Sequence, residues 1–145
     1  PSNISPCRDD LKNPDDRPAL GLIRVENELV VGGPYIVEPT PEGTVVGALA
    51  LEEDAVTDVG PDVSARHLRI YAGDGAWYAQ DLGSTNGTRL IQRNAHAKIN
   101  IDPNEPVQLR AGDILLLAFS TTFFICEVAS SHPGRFRPNE KGRQS

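Results

Sequence analysis

Asp81-Leu82-Gly83-Ser84-Thr85-Asn86-Gly87-Thr88 is the stretch on which the reading of this 145-residue chain turns. It breaks a strand-like run, Trp77 to Asp81, with short polar side chains and two glycines, and the chain then resumes a strand-like run at Thr88 to Ile91. Serine, asparagine and glycine accept the backbone conformations of tight turns, and short polar side chains bond to neighbouring main chain. The segment therefore reads as a sharp loop between two strands. Upstream, Asp62-Val63-Ser64-Ala65-Arg66-His67 is a second polar loop. It leads into Arg66 to Tyr71, where Leu68 and Ile70 fall on one side and His67, Arg69 and Tyr71 on the other. Between the two loops lies Gly73-Asp74-Gly75, a hairpin turn because aspartate and glycine tolerate positive φ. A hairpin that turns at one end gathers its flanks at the other. Pairing Arg66–Tyr71 with Ala76–Asp81 thus brings Ser64, Arg66, Ser84, Thr85 and Asn86 together on loops at one end of a sheet. Loops held by rigid strands are a usual place for binding.

The same pattern extends outward. Short apolar runs occur at Leu20–Val25, Leu29–Val31, Tyr35–Val37, Thr44–Ala50, Val107–Leu109, Ile114–Phe119 and Thr122–Val128, and a further short strand is expected at Lys98–Ile101. No helical stripe separates them. About ten to eleven short strands at close spacing predict an all-β fold, an antiparallel β-sandwich. Trp77, Tyr78, Phe119, Phe123 and Phe124 are expected in its core or on its sheet faces. Residues 1–18 and 129–145, rich in proline and charge, read as flexible flanks or linkers around a domain over residues 19–128. With no methionine anywhere, the chain reads as a segment of a longer protein.

Composition excludes several classes of function. Fourteen basic residues against 20 acidic ones give a net charge of −6. Duplex nucleic acid, whose binders carry a basic excess, is therefore an unexpected partner. Ile114–Phe119, the longest apolar run, falls far short of the ~20 residues that span a bilayer, so no membrane insertion is expected. Two cysteines are too few for a disulfide scaffold or a zinc site. Cys7 reads as a surface thiol and Cys126 as a core thiol, both reduced, which points to a cytoplasmic location. Asp102-Pro103-Asn104-Glu105 offers oxygen ligands but lacks the glycine and spacing of a calcium loop, and His96 and His132 are isolated. No metal or cofactor is expected. Ser64, His67 and Asp81 are the residue types of a hydrolytic triad, but Ser64 lacks the glycines of a nucleophile elbow and no enzyme is expected.

The order of these elements resembles the forkhead-associated (FHA) domain family. That family's pattern runs glycine-arginine, serine-x-x-histidine, the aspartate-leucine-glycine-serine-threonine-asparagine-glycine-threonine run, then leucine-x-x-glycine-aspartate. Here Ser64–His67, Asp81–Thr88 and Leu109–Asp113 supply the last three in order. The resemblance implies a phosphothreonine-peptide-binding module of a larger signalling or scaffolding protein, with phosphorylated substrates of serine/threonine kinases as partners. Carried over by position, the hydroxyls of Ser64 and Thr85 would donate to phosphate and Arg66 would add a charge-assisted bond. Ser84 would join this ligand-facing set, and the Asn86 amide would hold the peptide main chain. Gly47, His67, Gly87 and Thr88 would support the loops, with the His67 ring bridging them.

One departure sets up an alternative. Val46-Gly47-Ala48-Leu49 places Ala48 where the family carries its phosphate-gripping arginine. A hydrogen bond to a charged group contributes about 1.5–3 kcal/mol, so its loss would weaken binding roughly ten- to a hundredfold. The loop Leu51–Asp62 adds Glu52, Glu53, Asp54, Asp58 and Asp62 with no base, which would repel phosphate unless the acids point away. Arg66, Arg89 and Arg24 are the bases that could compensate. The second reading is a degenerate FHA domain that binds a protein partner without phosphate. On this reading Ser64, Thr85 and Asn86 are turn-formers and Arg66 a solvated surface charge.

Overall fold

A computed structural model describes residues 18–128; the expected flanks, apart from Pro18, lie outside these residues, as do Cys7 and His132. Ten strands and no helix occupy them: β1 (Ala19–Glu26), β2 (Leu29–Val37), β3 (Thr44–Val46), β4 (Leu68–Gly73), β5 (Ala76–Asp81), β6 (Thr88–Gln92), β7 (Ala97–Asn100), β8 (Val107–Leu109), β9 (Ile114–Leu117) and β10 (Thr121–Val128). They form two antiparallel sheets. One runs β2-β1-β10-β9-β6-β7, the other β3-β4-β5-β8. The expected β-sandwich is the observed fold. Leu20, Leu22, Ile70, Leu90, Leu115 and Phe123, all buried, fill the space between the sheets. No helix among the described residues is long and apolar enough to cross a membrane.

The hairpin that positions the site follows from its sequence. Along β4 and β5 buried and half-buried residues alternate, as the period of two requires of strands with one face inward. The register runs from Gly73↔Ala76 to Leu68↔Asp81. Asp74 (φ 48°) and Gly75 (φ 79°) both take left-handed conformations, which match the twist of a two-residue hairpin. The 62–67 and 82–87 loops therefore emerge together at the open end, where the Leu82 N–H donates to the His67 carbonyl (3.0 Å).

Several boundaries differ from expectation, each for a local reason. Leu29–Val31 and Tyr35–Val37 are one strand, β2, because glycines at 32 and 33 let register shifts opposite Arg24 absorb the irregularity. β3 stops at Val46 rather than Ala50. From Gly47 the chain leaves the sheet to run beside the second loop, with the N–H groups of Ala48 and Leu49 donating to the carbonyls of Ser64 (3.0 Å) and Ala65 (3.1 Å). A Cβ on Gly47 would lie 2.2 Å from the Ala65 oxygen, so only glycine permits this approach. Cys126 is not a core thiol. It is half-buried on the outward face of β10, with Sγ 3.6 Å from the Gly21 carbonyl. β9 stops at Leu117 because Ala118 takes a positive φ (55°), and Phe119 is neither core nor sheet face but 76% exposed.

Candidate binding site

Loop 82–87 is shaped around one carboxylate. Asp81, the last residue of β5, is buried, and its Oδ1 accepts the N–H groups of Gly83 and Ser84, both at 2.8 Å. Its Oδ2 accepts the hydroxyls of Ser84 and Thr88, both at 2.6 Å. Burial pushes the carboxyl up, but these four donors outweigh it and hold Asp81 below its ordinary range. The Ser84 Oγ also accepts the Gly87 N–H (3.1 Å). Ser84 is therefore a brace of the loop. Its place among the ligand-facing residues is corrected, because its hydroxyl proton is already given to Asp81. Gly87 closes the turn at φ 86°, a conformation that side-chain-bearing residues rarely adopt.

The two loops are joined by His67. The ring is fully buried; it precedes β4, so it does not share the outward direction of Arg69 and Tyr71 that strand alternation suggested. Nδ1 accepts the Ser64 N–H at 3.0 Å, which leaves the proton on Nε2 to donate to the Gly87 carbonyl at 2.9 Å. Both ring nitrogens are bound to main chain of different loops. Ser64, His67 and Asp81 therefore make no hydrolytic relay, since the ring bonds the Ser64 backbone and the Asp81 carboxylate faces its own loop.

At the surface, Ser64 and Thr85 meet directly. The Thr85 N–H donates to the Ser64 Oγ (3.0 Å), so the Ser64 hydroxyl retains its own proton for a further acceptor. Thr85 and Asn86 are exposed, and the Asn86 Nδ2 donates to the Asp62 carbonyl (2.9 Å), which fixes the amide plane with its oxygen unspent. Arg66 is 57% exposed in its side chain and pairs with Glu52 at 2.8 Å. The other Glu52 oxygen is buried and makes no hydrogen bond. Ala48 lies against this group through its bond to Ser64 and carries no charge.

The remaining acids of the 51–62 loop are not a free negative patch. Asp54 accepts the Thr44 hydroxyl (3.3 Å). Asp58 accepts the Tyr35 hydroxyl and the Arg24 guanidinium, and these, the tyrosine first, hold it below its ordinary range. Asp62 accepts the Ser120 hydroxyl, which lowers its carboxyl most, and the Phe119 N–H. Arg24 and Arg89 drop out as compensating bases. The first is held by Asp58 and the second donates to the Ala118 carbonyl (2.6 Å). Two residues of this end escaped the sequence reading, Glu52 as the partner of Arg66 and Phe119 as an exposed ring.

A family model described as the FHA domain matches residues 44–118. An FHA domain-containing protein of Arabidopsis thaliana is 41% identical over 73 residues, 50% of this chain and 17% of that protein. A chloroplastic zeaxanthin epoxidase of Prunus armeniaca is 31% identical over 102 residues, 70% of this chain and 14% of the relative. The chain thus spans less than a fifth of the length of either curated relative. Among solved structures, the FHA domain of an Arabidopsis thaliana hypothetical protein aligns with a TM-score of 0.58 at 29% identity, over 85% of this chain and 97% of that one. Mycobacterium tuberculosis EmbR in complex with a low-affinity phosphopeptide has a TM-score of 0.55 at 23% identity, over 79% of this chain and 26% of its own, a likeness of fold.

Proposed function

Since the chain belongs to the FHA domain family, a family of protein-interaction modules rather than catalysts, we propose that it is a phosphothreonine-peptide-binding module of a longer protein. The observation that carries this reading is the Ser64–Thr85 junction. Two hydroxyl-bearing residues from separate loops lie side by side, the proton of Ser64 is available, and the Asn86 amide is fixed next to them. A phosphate seated there would accept from both hydroxyls, while the Asn86 oxygen would accept a main-chain N–H of the peptide. Such donors are held before the ligand arrives, which lowers the entropy cost of binding. EmbR, bound to a phosphopeptide, shares the fold and lends support by analogy.

Arg66 supplies the charge that Ala48 lacks. In the resting domain it is occupied by Glu52, and a phosphate carrying nearly two charges must displace that carboxylate. The unbonded second oxygen of Glu52 makes the pair a poor resting arrangement and favours the exchange. The same pair favours the second reading, phosphate-independent binding of a protein partner, because it gives Arg66 a role with no ligand present. Fluorescence polarisation with a degenerate phosphothreonine peptide library and its unphosphorylated twin separates the two. Saturable binding of the phosphorylated pool alone is expected, lost in Ser64→Ala and Asn86→Ala and strengthened about three- to tenfold in Glu52→Gln, which frees Arg66 of its competitor. Equal binding of the two pools would overturn the phosphothreonine reading in favour of the second.

A further inference from the structure

Phe119 stands in the turn between β9 and β10, outside the loops that carry the family resemblance, yet the structure ties that turn to them at every residue. The Ala118 N–H donates to the Gly87 carbonyl (3.0 Å), the same oxygen that accepts from His67. The Phe119 N–H and the Ser120 hydroxyl donate to the two oxygens of Asp62. The Thr121 hydroxyl oxygen accepts the Gly60 N–H (2.8 Å), and Arg89 caps the Ala118 carbonyl. Asp62 is the joint of the arrangement. Its side chain grips Phe119 and Ser120 while its carbonyl holds the Asn86 amide, so Phe119 and Asn86 are anchored on one residue.

A backbone so restrained ordinarily carries a side chain that packs. Here the ring is 76% exposed, and an aromatic left in water forgoes the apolar burial that is its main contribution to stability. We propose that Phe119 forms an apolar subsite of the phosphopeptide site, taking an aliphatic or aromatic side chain that flanks the phosphothreonine. The inference rests on the phosphothreonine reading above and adds a specificity element to it. The occupant follows from continuity, because the ring shares Asp62 with the amide proposed to hold the peptide main chain. A peptide so held passes beside it already ordered, and the ring gains burial at little further entropy cost.

The test uses the domain with phosphothreonine peptides in which flanking residues are replaced singly by alanine, leucine or aspartate. Wild type is expected to favour leucine over alanine at one flanking position by roughly 5- to 30-fold, the burial of one aliphatic side chain against a ring. Phe119→Ala is expected to flatten that preference while leaving the melting temperature and the Ser64-dependent phosphate discrimination in place. Phe119→Leu should restore most of it. Phosphate-dependent binding with identical side-chain preferences in wild type and Phe119→Ala would overturn the subsite alone. Failure of every phosphopeptide to bind wild type would overturn the reading it rests on, and the subsite with it.

Discussion

Replacing Asp81 by alanine is expected to destabilise the domain by about 3–5 kcal/mol, a large part of the ~5–15 kcal/mol that holds a typical domain folded. The cause is the number of donors the carboxylate serves. Without it the N–H groups of Gly83 and Ser84 and the hydroxyls of Ser84 and Thr88 lose their acceptor together, at the inner end of a loop that shields part of them from water. Asp81→Asn keeps one acceptor oxygen and should cost less than alanine. The pH dependence follows with a definite sign. A carboxyl held below its ordinary value contributes stability that is present above its unfolded value, about 4, and is lost as pH falls through the folded one. Asp81, Asp58 and Asp62 are all shifted this way. Chemical denaturation across pH 7 to 2 is therefore expected to show stability falling from about pH 4 downward, with a shallower fall in Asp81→Asn. A midpoint indifferent to acid, or an Asp81→Ala domain as stable as wild type, would mean that the loop does not depend on this carboxylate.

The sequence spoke most clearly where chemistry admits few alternatives. Gly73-Asp74-Gly75 had to turn, and that turn alone set the register that brings Ser64 and Thr85 together. It was silent where one residue type serves two ends. Ser84 and Thr85 are neighbours of like chemistry, but the geometry of the loop aims the first hydroxyl at Asp81 and leaves the second residue exposed. Phe119 closes an apolar run that reads as strand to its last residue, and only the positive φ of Ala118 ends the strand earlier and turns the ring outward. The pairing of Glu52 with Arg66 belongs to a third class, a contact between distant side chains that no local pattern encodes.

His67→Ala is expected to cost about 3–4 kcal/mol in stability and, at temperatures where the variant remains folded, at least about tenfold in phosphopeptide affinity. The stability loss has two sources: a cavity where a fully buried ring stood, and a Ser64 N–H and Gly87 carbonyl left without their partner. The affinity loss is indirect, because the ring touches none of the surface donors. Its Nδ1 fixes the backbone of Ser64, and its Nε2 fixes the Gly87 carbonyl, which also receives the Ala118 N–H. Three loops meet at that pair of bonds, so removing the ring loosens Ser64, the turn after Asn86 and the approach to Phe119 at once. A residue acting only through packing would be rescued by a ring of similar size, whereas one acting through its nitrogens would not. His67→Phe is accordingly expected to recover part of the stability but little of the affinity, with isothermal calorimetry reading the affinity and thermal unfolding the stability. Full recovery of binding in His67→Phe would show that shape alone sets the loops, and that the two bonds to Ser64 and Gly87 are incidental to the site.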